Sequence, residues 1–191
     1  KSSWGMNDKY LFDIAKKRLE NISKTNKPFN LNLITIDTHG NDEYLGAYSE
    51  RKYKSSNENA YATSSKLIYE FIEYVKMQPY YKDTTIVILG DHPSMHKTIY
   101  KNIDKSRRLR YNVIINSLRT SDNTKNRTFT ALDMYPTILS SIGANIENDR
   151  LSLGTNLFSN KKTLAEQYGL SKLNSEMSKR SMFYNEEILG N

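Results

Sequence analysis

Apolar residues at Leu11, Ile14, Ala15, Leu19 and Ile22 recur every three to four positions, with Lys16, Lys17 and Arg18 turned outward. That spacing predicts a surface helix with one buried stripe, opened by Asn7 or Asp8 as its cap. After Lys27 and Pro28, residues 29–37 (FNLNLITID) alternate and then become continuously apolar, which predicts a strand ending at Asp37-Thr38-His39-Gly40. Residues 41–60 are rich in Asn, Ser, Gly, Lys and Tyr and predict a long loop, a length that compact domains usually reserve for function. A second helix is expected over 63–77, with Leu67, Ile68, Phe71, Ile72 and Val75 on one face and Pro79 as its stop. Residues 84–89 are all β-branched or apolar and predict a fully buried strand, broken by Gly90 and followed by Asp91 and His92.

Strand, helix, strand, with polar clusters at both strand ends, is the pattern of a parallel sheet joined by a right-handed crossover. It implies an α/β fold with a mostly parallel sheet flanked by helices, and it sets His39 and Asp91 at one sheet edge. A short strand follows at 111–115, and then a helix over 128–142 with Leu132, Tyr135, Leu139 and Ile142 inward. Pro136 sits either in the first turn of that helix or at a kink, and Gly143 caps it. Residues 150–158 are turn-rich and apolar. From Asn160 the chain is polar and weakly helical, so the expected division is 1–159 and a tail of 160–191.

At 191 residues the chain has room for one ordinary core. It contains no Cys, which excludes disulfides, thiolate zinc sites and a thiol nucleophile. No apolar run is long enough to span a bilayer, and no signal peptide opens the chain. The start at KSSWG, without Met, is what is expected of a fragment or processed piece. Nine Lys and Arg against two Asp between His96 and Arg127 account for the whole net charge of +7. Such a run either draws anions towards the Asp91–His92 strand end or is a solvated face. Nucleic acid is not an expected partner: no recognition motif is present, and the basic residues do not alternate with aromatics.

A carboxylate and an imidazole at one strand end either ligate a divalent cation or simply terminate the strand. Without thiolates the pair suits a hard or borderline ion. His39 at the same edge is one of only three His in the chain. A neutral imidazole there can donate to a phosphate oxygen or a leaving alkoxide. His96, four residues past His92, reaches the same site only if that segment is helical; otherwise it is a surface residue.

Taken together, Trp4-Gly5 with Asp8, TIDTH at 35–39, TIVILGDH at 85–92, DMYPTIL at 133–139 and LSLGTNLF at 151–158 resemble the sulfatase and alkaline-phosphatase superfamily. Within it the sequence is most similar to the phosphoglycerol transferases, the lipoteichoic acid synthases and the phosphoglycerol transferase I group. The order of these blocks from about residue 4 to 158 is more specific than any one of them. The resemblance implies a partial alkaline-phosphatase-like domain, the C-terminal half of the catalytic domain. It implies that Asp91 and His92 bind a divalent metal, Mn²⁺ first, with Mg²⁺ or Zn²⁺ as alternatives, and that His39 contacts the transferred phosphate.

The implied reaction moves glycerol phosphate from phosphatidylglycerol to a hydroxyl of a cell-envelope glycan or polymer through a phosphorylated Thr. The implied location is the outer or periplasmic side of the cell membrane, reached through an upstream segment. The family pattern places the nucleophilic Thr and an acidic ligand ahead of the Trp-Gly block, where only three residues stand here, so no catalytic nucleophile is assigned and the isolated piece is expected to be inactive. GDHPSM, where sulfatases usually continue with Gly after the His, favours the phosphoglycerol branch. Two other readings stay open: a phosphodiesterase or sulfatase-type hydrolase, and a non-catalytic module of the same fold that binds anionic glycans or lipid headgroups.

Overall fold

The computed structural model describes residues 5–39, 45–94, 101, 103–104, 109–123 and 125–190. Trp4, Gly40, Met95 and His96, and much of the basic stretch, lie outside the described residues. The chain forms two compact units, one of residues 1–84 and 89–112, the other of residues 85–88 and 113–191.

In the first unit, helix α1 (Asp8–Ser23) and helix α2 (Ser56–Lys76) pack together. The buried stripe of α1 is Asp8, Phe12, Ala15 and Leu19, at spacings of four, three and four, while Ile14 is exposed. The stripe is rotated from the expected one because α2 presents aromatic rings: Phe12 lies 5.0 Å from Phe71, and Lys16 covers the Tyr74 ring at 5.2 Å. Helix α2 starts seven residues before the expected 63. Ser55 caps it, its hydroxyl accepting from the Glu58 amide at 3.4 Å, so residues 56–60 of the expected loop are helix. Residues 29–36 form no ladder among the described residues. Their burial alternates from Leu31 to Leu33, as the alternating start of the segment predicts, but Ile34, in the continuously apolar part, is 82% exposed.

Strand β1 (Ile86–Leu89) pairs with strand β2 (Asn112–Ile115). The Thr85 hydroxyl donates to the Asn116 carbonyl at one end, and the Gly90 amide donates to the Tyr111 carbonyl at 2.8 Å at the other. Rising numbers on one strand meet falling numbers on the other, so the pair is antiparallel. The parallel pairing expected between 29–37 and β1 is not among the strand pairs of the described residues.

The second unit centres on helix α3 (Met134–Ser141), entered through a 3₁₀ turn at Ala131–Asp133. Pro136 falls in its first turn, and Gly143, at φ 96°, ends it with Ala144 donating to the Leu139 carbonyl at 3.0 Å. The inward face differs from the expected one: Met134, Pro136, Thr137, Ser140 and Ser141 are buried, and Tyr135 and Ile142 are exposed. The cause is a close approach by the hairpin of strands β3 (Arg150–Leu151) and β4 (Gly154–Thr155), which small side chains permit. Asp133 accepts from the Thr155 amide at 2.8 Å and Thr137 from the Leu157 amide at 2.9 Å. A Cβ on Gly154 would stand 2.0 Å from the Leu132 carbonyl oxygen.

Helices α4 (Leu164–Tyr168) and α5 (Leu170–Met177) follow, then a π-helical turn at Tyr184–Ile188. Thr163 and Glu166 form a capping box at the start of α4, and the Thr163 hydroxyl donates to the Thr128 carbonyl at 2.5 Å. The Arg127 side chain, only 7% exposed, donates to both Glu166 oxygens at 2.7 and 2.9 Å, and to the carbonyls of Ser159 and Lys161. One of the nine cations of the basic run is thus spent inside the fold. Among the described residues no helix is long and apolar enough to cross a membrane.

Candidate active site

Strand β1 ends because Gly90 carries no side chain and closes the ladder through its amide on Tyr111. The next two side chains, Asp91 and His92, project where the ladder has stopped. His92 Nε2 lies 3.4 Å from Asp91 Oδ2, with the Asp91 side chain 86% and the His92 side chain 49% exposed. The His92 amide donates to Asp91 Oδ1 at 2.8 Å, and His92 Nδ1 lies 2.9 Å from the Pro93 carbonyl oxygen. A carbonyl only accepts, so Nδ1 carries a proton, and Nε2 is the ring nitrogen that faces the carboxylate.

That arrangement fits a divalent cation. Donors held at about 2.0–2.2 Å from one ion stand roughly 3.0–3.5 Å apart, and a ligating imidazole usually gives its other N–H to a carbonyl or carboxylate. Two donors alone do not complete a coordination shell, and among the described residues no group of three His, Asp or Glu is gathered that could hold a metal.

Two neighbours that the sequence does not flag fix this segment. Arg110 Nη1 donates to the Asp91 carbonyl at 3.1 Å, and the Tyr61 hydroxyl on α2 is 2.9 Å from the Ser94 hydroxyl. Both contacts cross between distant parts of the sequence, so no local motif announces them.

His39, exposed, ends a turn in which its amide donates to the Ile36 carbonyl at 2.9 Å. His39 and the Asp91–His92 pair belong to the same compact unit, although the strand pairing expected to align them is not observed. The turn is held from the side by α1. Asp8 Oδ1 accepts from the amides of Ile36 at 2.7 Å and Asp37 at 3.2 Å, and Asp37 Oδ2 accepts from the Asp8 amide at 3.1 Å. The Tyr48 hydroxyl donates to Asp37 Oδ2 at 2.8 Å, and the Ser64 hydroxyl lies 3.4 Å from Asp8 Oδ2. Asp37 thereby caps α1 from 29 residues away, where the Asn7 side chain makes no capping bond. Both carboxylates are buried, and Asp37 Oδ1 has no hydrogen-bond partner among the described residues. An unsatisfied buried oxygen of this kind costs about 1–3 kcal/mol. Burial pushes the Asp8 carboxyl above its ordinary range and the nearby Asp37 charge adds to the rise, with the Ile36 and Asp37 amides and the Ser64 hydroxyl opposing it.

The sulfatase family model matches residues 1–144 of the chain. Phosphoglycerol transferase I of Salmonella typhi is 33% identical over 114 residues, which are 56% of this chain and 15% of that protein. Phosphoglycerol transferase I of Salmonella choleraesuis (strain SC-B67) is 28% identical over 165 residues, 83% of this chain and 21% of the relative. The chain thus spans about a fifth or less of the length of these curated relatives. No solved structure matches it.

Proposed function

The chain belongs to the sulfatase family, and from that premise we propose that it is the part of a metal-dependent phosphoglycerol transferase that supplies Asp91, His92 and His39 to the transfer site. The observation that carries the reading is the Asp91–His92 pair: a carboxylate oxygen and the imidazole Nε2 3.4 Å apart, with the other ring nitrogen on the Pro93 carbonyl. The fold of the complete domain is the mostly parallel, alkaline-phosphatase-like sheet. Its donor is phosphatidylglycerol and its acceptor a hydroxyl of a cell-envelope glycan or polymer, on the outer or periplasmic side of the membrane. The names of the relatives support transfer of a phosphoglycerol group.

In this reading a divalent ion, Mn²⁺ first and Mg²⁺ or Zn²⁺ otherwise, neutralises charge on the phosphoryl oxygens and lowers the pKa of the attacking hydroxyl when bound. Asp91 and His92 hold it, one as a hard anionic oxygen and the other through Nε2. Arg110 and the Tyr61–Ser94 bond keep the two ends of their segment in place. The His39 imidazole donates to a phosphate oxygen and can pass a proton to or from the leaving or attacking oxygen. No residue of this chain is assigned as the nucleophile; the family pattern places a Thr and an acidic ligand ahead of Trp4.

The test is release of glycerol phosphate from phosphatidylglycerol by the full-length protein with added metal. His92→Ala should abolish it, and an unimpaired His92→Ala protein refutes the assignment. One observation favours a second reading, a binding module for anionic headgroups: the pair gathers no third acidic or imidazole group among the described residues. Such a module would bind glycerol phosphate equally well after chelation of all metal.

A further inference from the structure

The turn that carries His39 is held by a reciprocal pair of carboxylates. Asp8 Oδ1 takes the amides of Ile36 and Asp37, the first two residues of the turn, and Asp37 Oδ2 takes the amide of Asp8 in return. The third backbone bond of the turn, from the His39 amide to the Ile36 carbonyl, closes directly onto this clamp. Ser64 of α2 reaches Asp8, and Tyr48 reaches Asp37, so both helices of the unit and the segment around Tyr48 converge on this carboxylate pair. The arrangement retains two buried carboxylates side by side, and one of their oxygens, Asp37 Oδ1, has no partner among the described residues. An Asn or Ser at position 37 would cap the helix without burying a second charge. Costly polar placements that persist beside a reactive group mark a geometry that function needs.

We propose that Asp8 and Asp37 are positioning residues, whose mutual hold on the Ile36–His39 turn sets where the His39 imidazole meets the substrate phosphate. The inference rests on the reading of His39 as a phosphate contact. Neither carboxylate touches the reacting atoms; they act through the backbone of the turn.

The test uses the full-length protein and two readouts: kcat and KM for glycerol phosphate release from phosphatidylglycerol, and the His39 imidazole NMR signal, identified by its loss in His39→Gln. A displacement of about 1 Å in a catalytic arrangement can cost about 100-fold in rate. Asp8→Ala is therefore expected to lower kcat by about that factor with little change in KM, and to shift the His39 signal. Asp8→Asn, which keeps an oxygen for the two amides, should retain kcat within about tenfold of wild type. Folded Asp8→Ala protein with unchanged kcat and an unmoved His39 signal overturns the proposal. If Asp8→Ala does not fold, Tyr48→Phe decides on the same readouts, since it removes one hydroxyl from Asp37 and leaves the packing. An unmoved signal and unchanged kcat there overturn the proposal as well. Full activity of His39→Gln would instead refute the role of His39, while the NMR shift would still report whether the clamp sets its position.

Discussion

Replacing Arg127 by Met removes a nearly buried guanidinium while keeping most of its apolar stem volume. In the wild-type chain Arg127 holds both oxygens of Glu166, whose side chain is 19% exposed, together with the Ser159 and Lys161 carbonyls. The guanidinium is the main reason the Glu166 carboxyl is pulled down from 4.5 to about 2, with the Thr163 and Thr128 amides assisting and partial burial opposing. At about 1.36 kcal/mol per unit that shift is worth at most about 3.4 kcal/mol. Solvent screening and the share of the two amides leave about 1–2 kcal/mol for the ion pair.

Loss of the carbonyl contacts adds about 1 kcal/mol or more, so the substitution should cost about 3 kcal/mol, at the lower end for a broken buried pair. For a chain of this size that lowers Tm by about 6–12 °C. The pH dependence carries a second signature. A carboxyl with a depressed folded pKa stabilises above its unfolded value of 4.5, and the contribution is lost as pH falls towards about 2. Thermal unfolding followed by circular dichroism should therefore show the gap between wild type and Arg127→Met widest at pH 7 and shrinking below pH 4.5. A Tm change under about 2 °C at neutral pH, or a gap that stays constant down to pH 2.5, would refute the reasoning.

Gly154→Ala should cost about 1–3 kcal/mol or more, because the added Cβ meets the Leu132 carbonyl, a backbone atom that cannot swing aside. A chemical denaturation midpoint equal to that of wild type would contradict it. Ser55→Ala should cost about 0.5–1 kcal/mol, near the low end for an N-cap because the bond to the Glu58 amide is long. Its mark is lost amide protection in the first turn of α2 by hydrogen exchange, with later turns unaffected.

What the sequence discloses and what it conceals follow physical range. Helix α1 is legible because its stripe repeats at the helical period, and the end of α3 because Gly143 adopts a positive φ that few other residues tolerate. The abrupt end of β1 at Gly90, with Asp91 and His92 beyond it, is likewise a local pattern. The start of α2 was concealed by its polar composition, although Ser55 three residues ahead of Glu58 is a capping signature that announces it. The inward face of α3 is not legible because apart from Met134 and Pro136 its buried residues are small and polar, while Tyr135 and Ile142 are exposed. Thr137, Ser140 and Ser141 face inward, and Thr137 bonds the Leu157 amide across 20 residues.

The same reach hides the rest of the site. Asp8 and Asp37 form a clamp across 29 residues, Arg110 holds the Asp91 carbonyl across 19, and Tyr61 meets Ser94 across 33. None of these pairings has a sequence spacing that distinguishes it from chance. Two of the recognisable blocks nevertheless acquire a physical meaning: Asp133 of DMYPTIL and the Thr155 amide of LSLGTNLF are hydrogen-bonded, so each block specifies the other's backbone. Arg127 shows the opposite limit of charge counting, since its charge is neutralised by Glu166 within the fold.

The central claim, that Asp91 and His92 hold the ion on which phosphoglycerol transfer depends, is tested most directly by following glycerol phosphate release from phosphatidylglycerol by the full-length protein as Mn²⁺ is titrated. Wild type should rise from no activity in chelator to saturation. Asp91→Asn should need much more metal to reach any rate, and His92→Ala should stay at the chelated baseline throughout. Saturation of all three proteins at the same Mn²⁺ concentration and the same rate would contradict it.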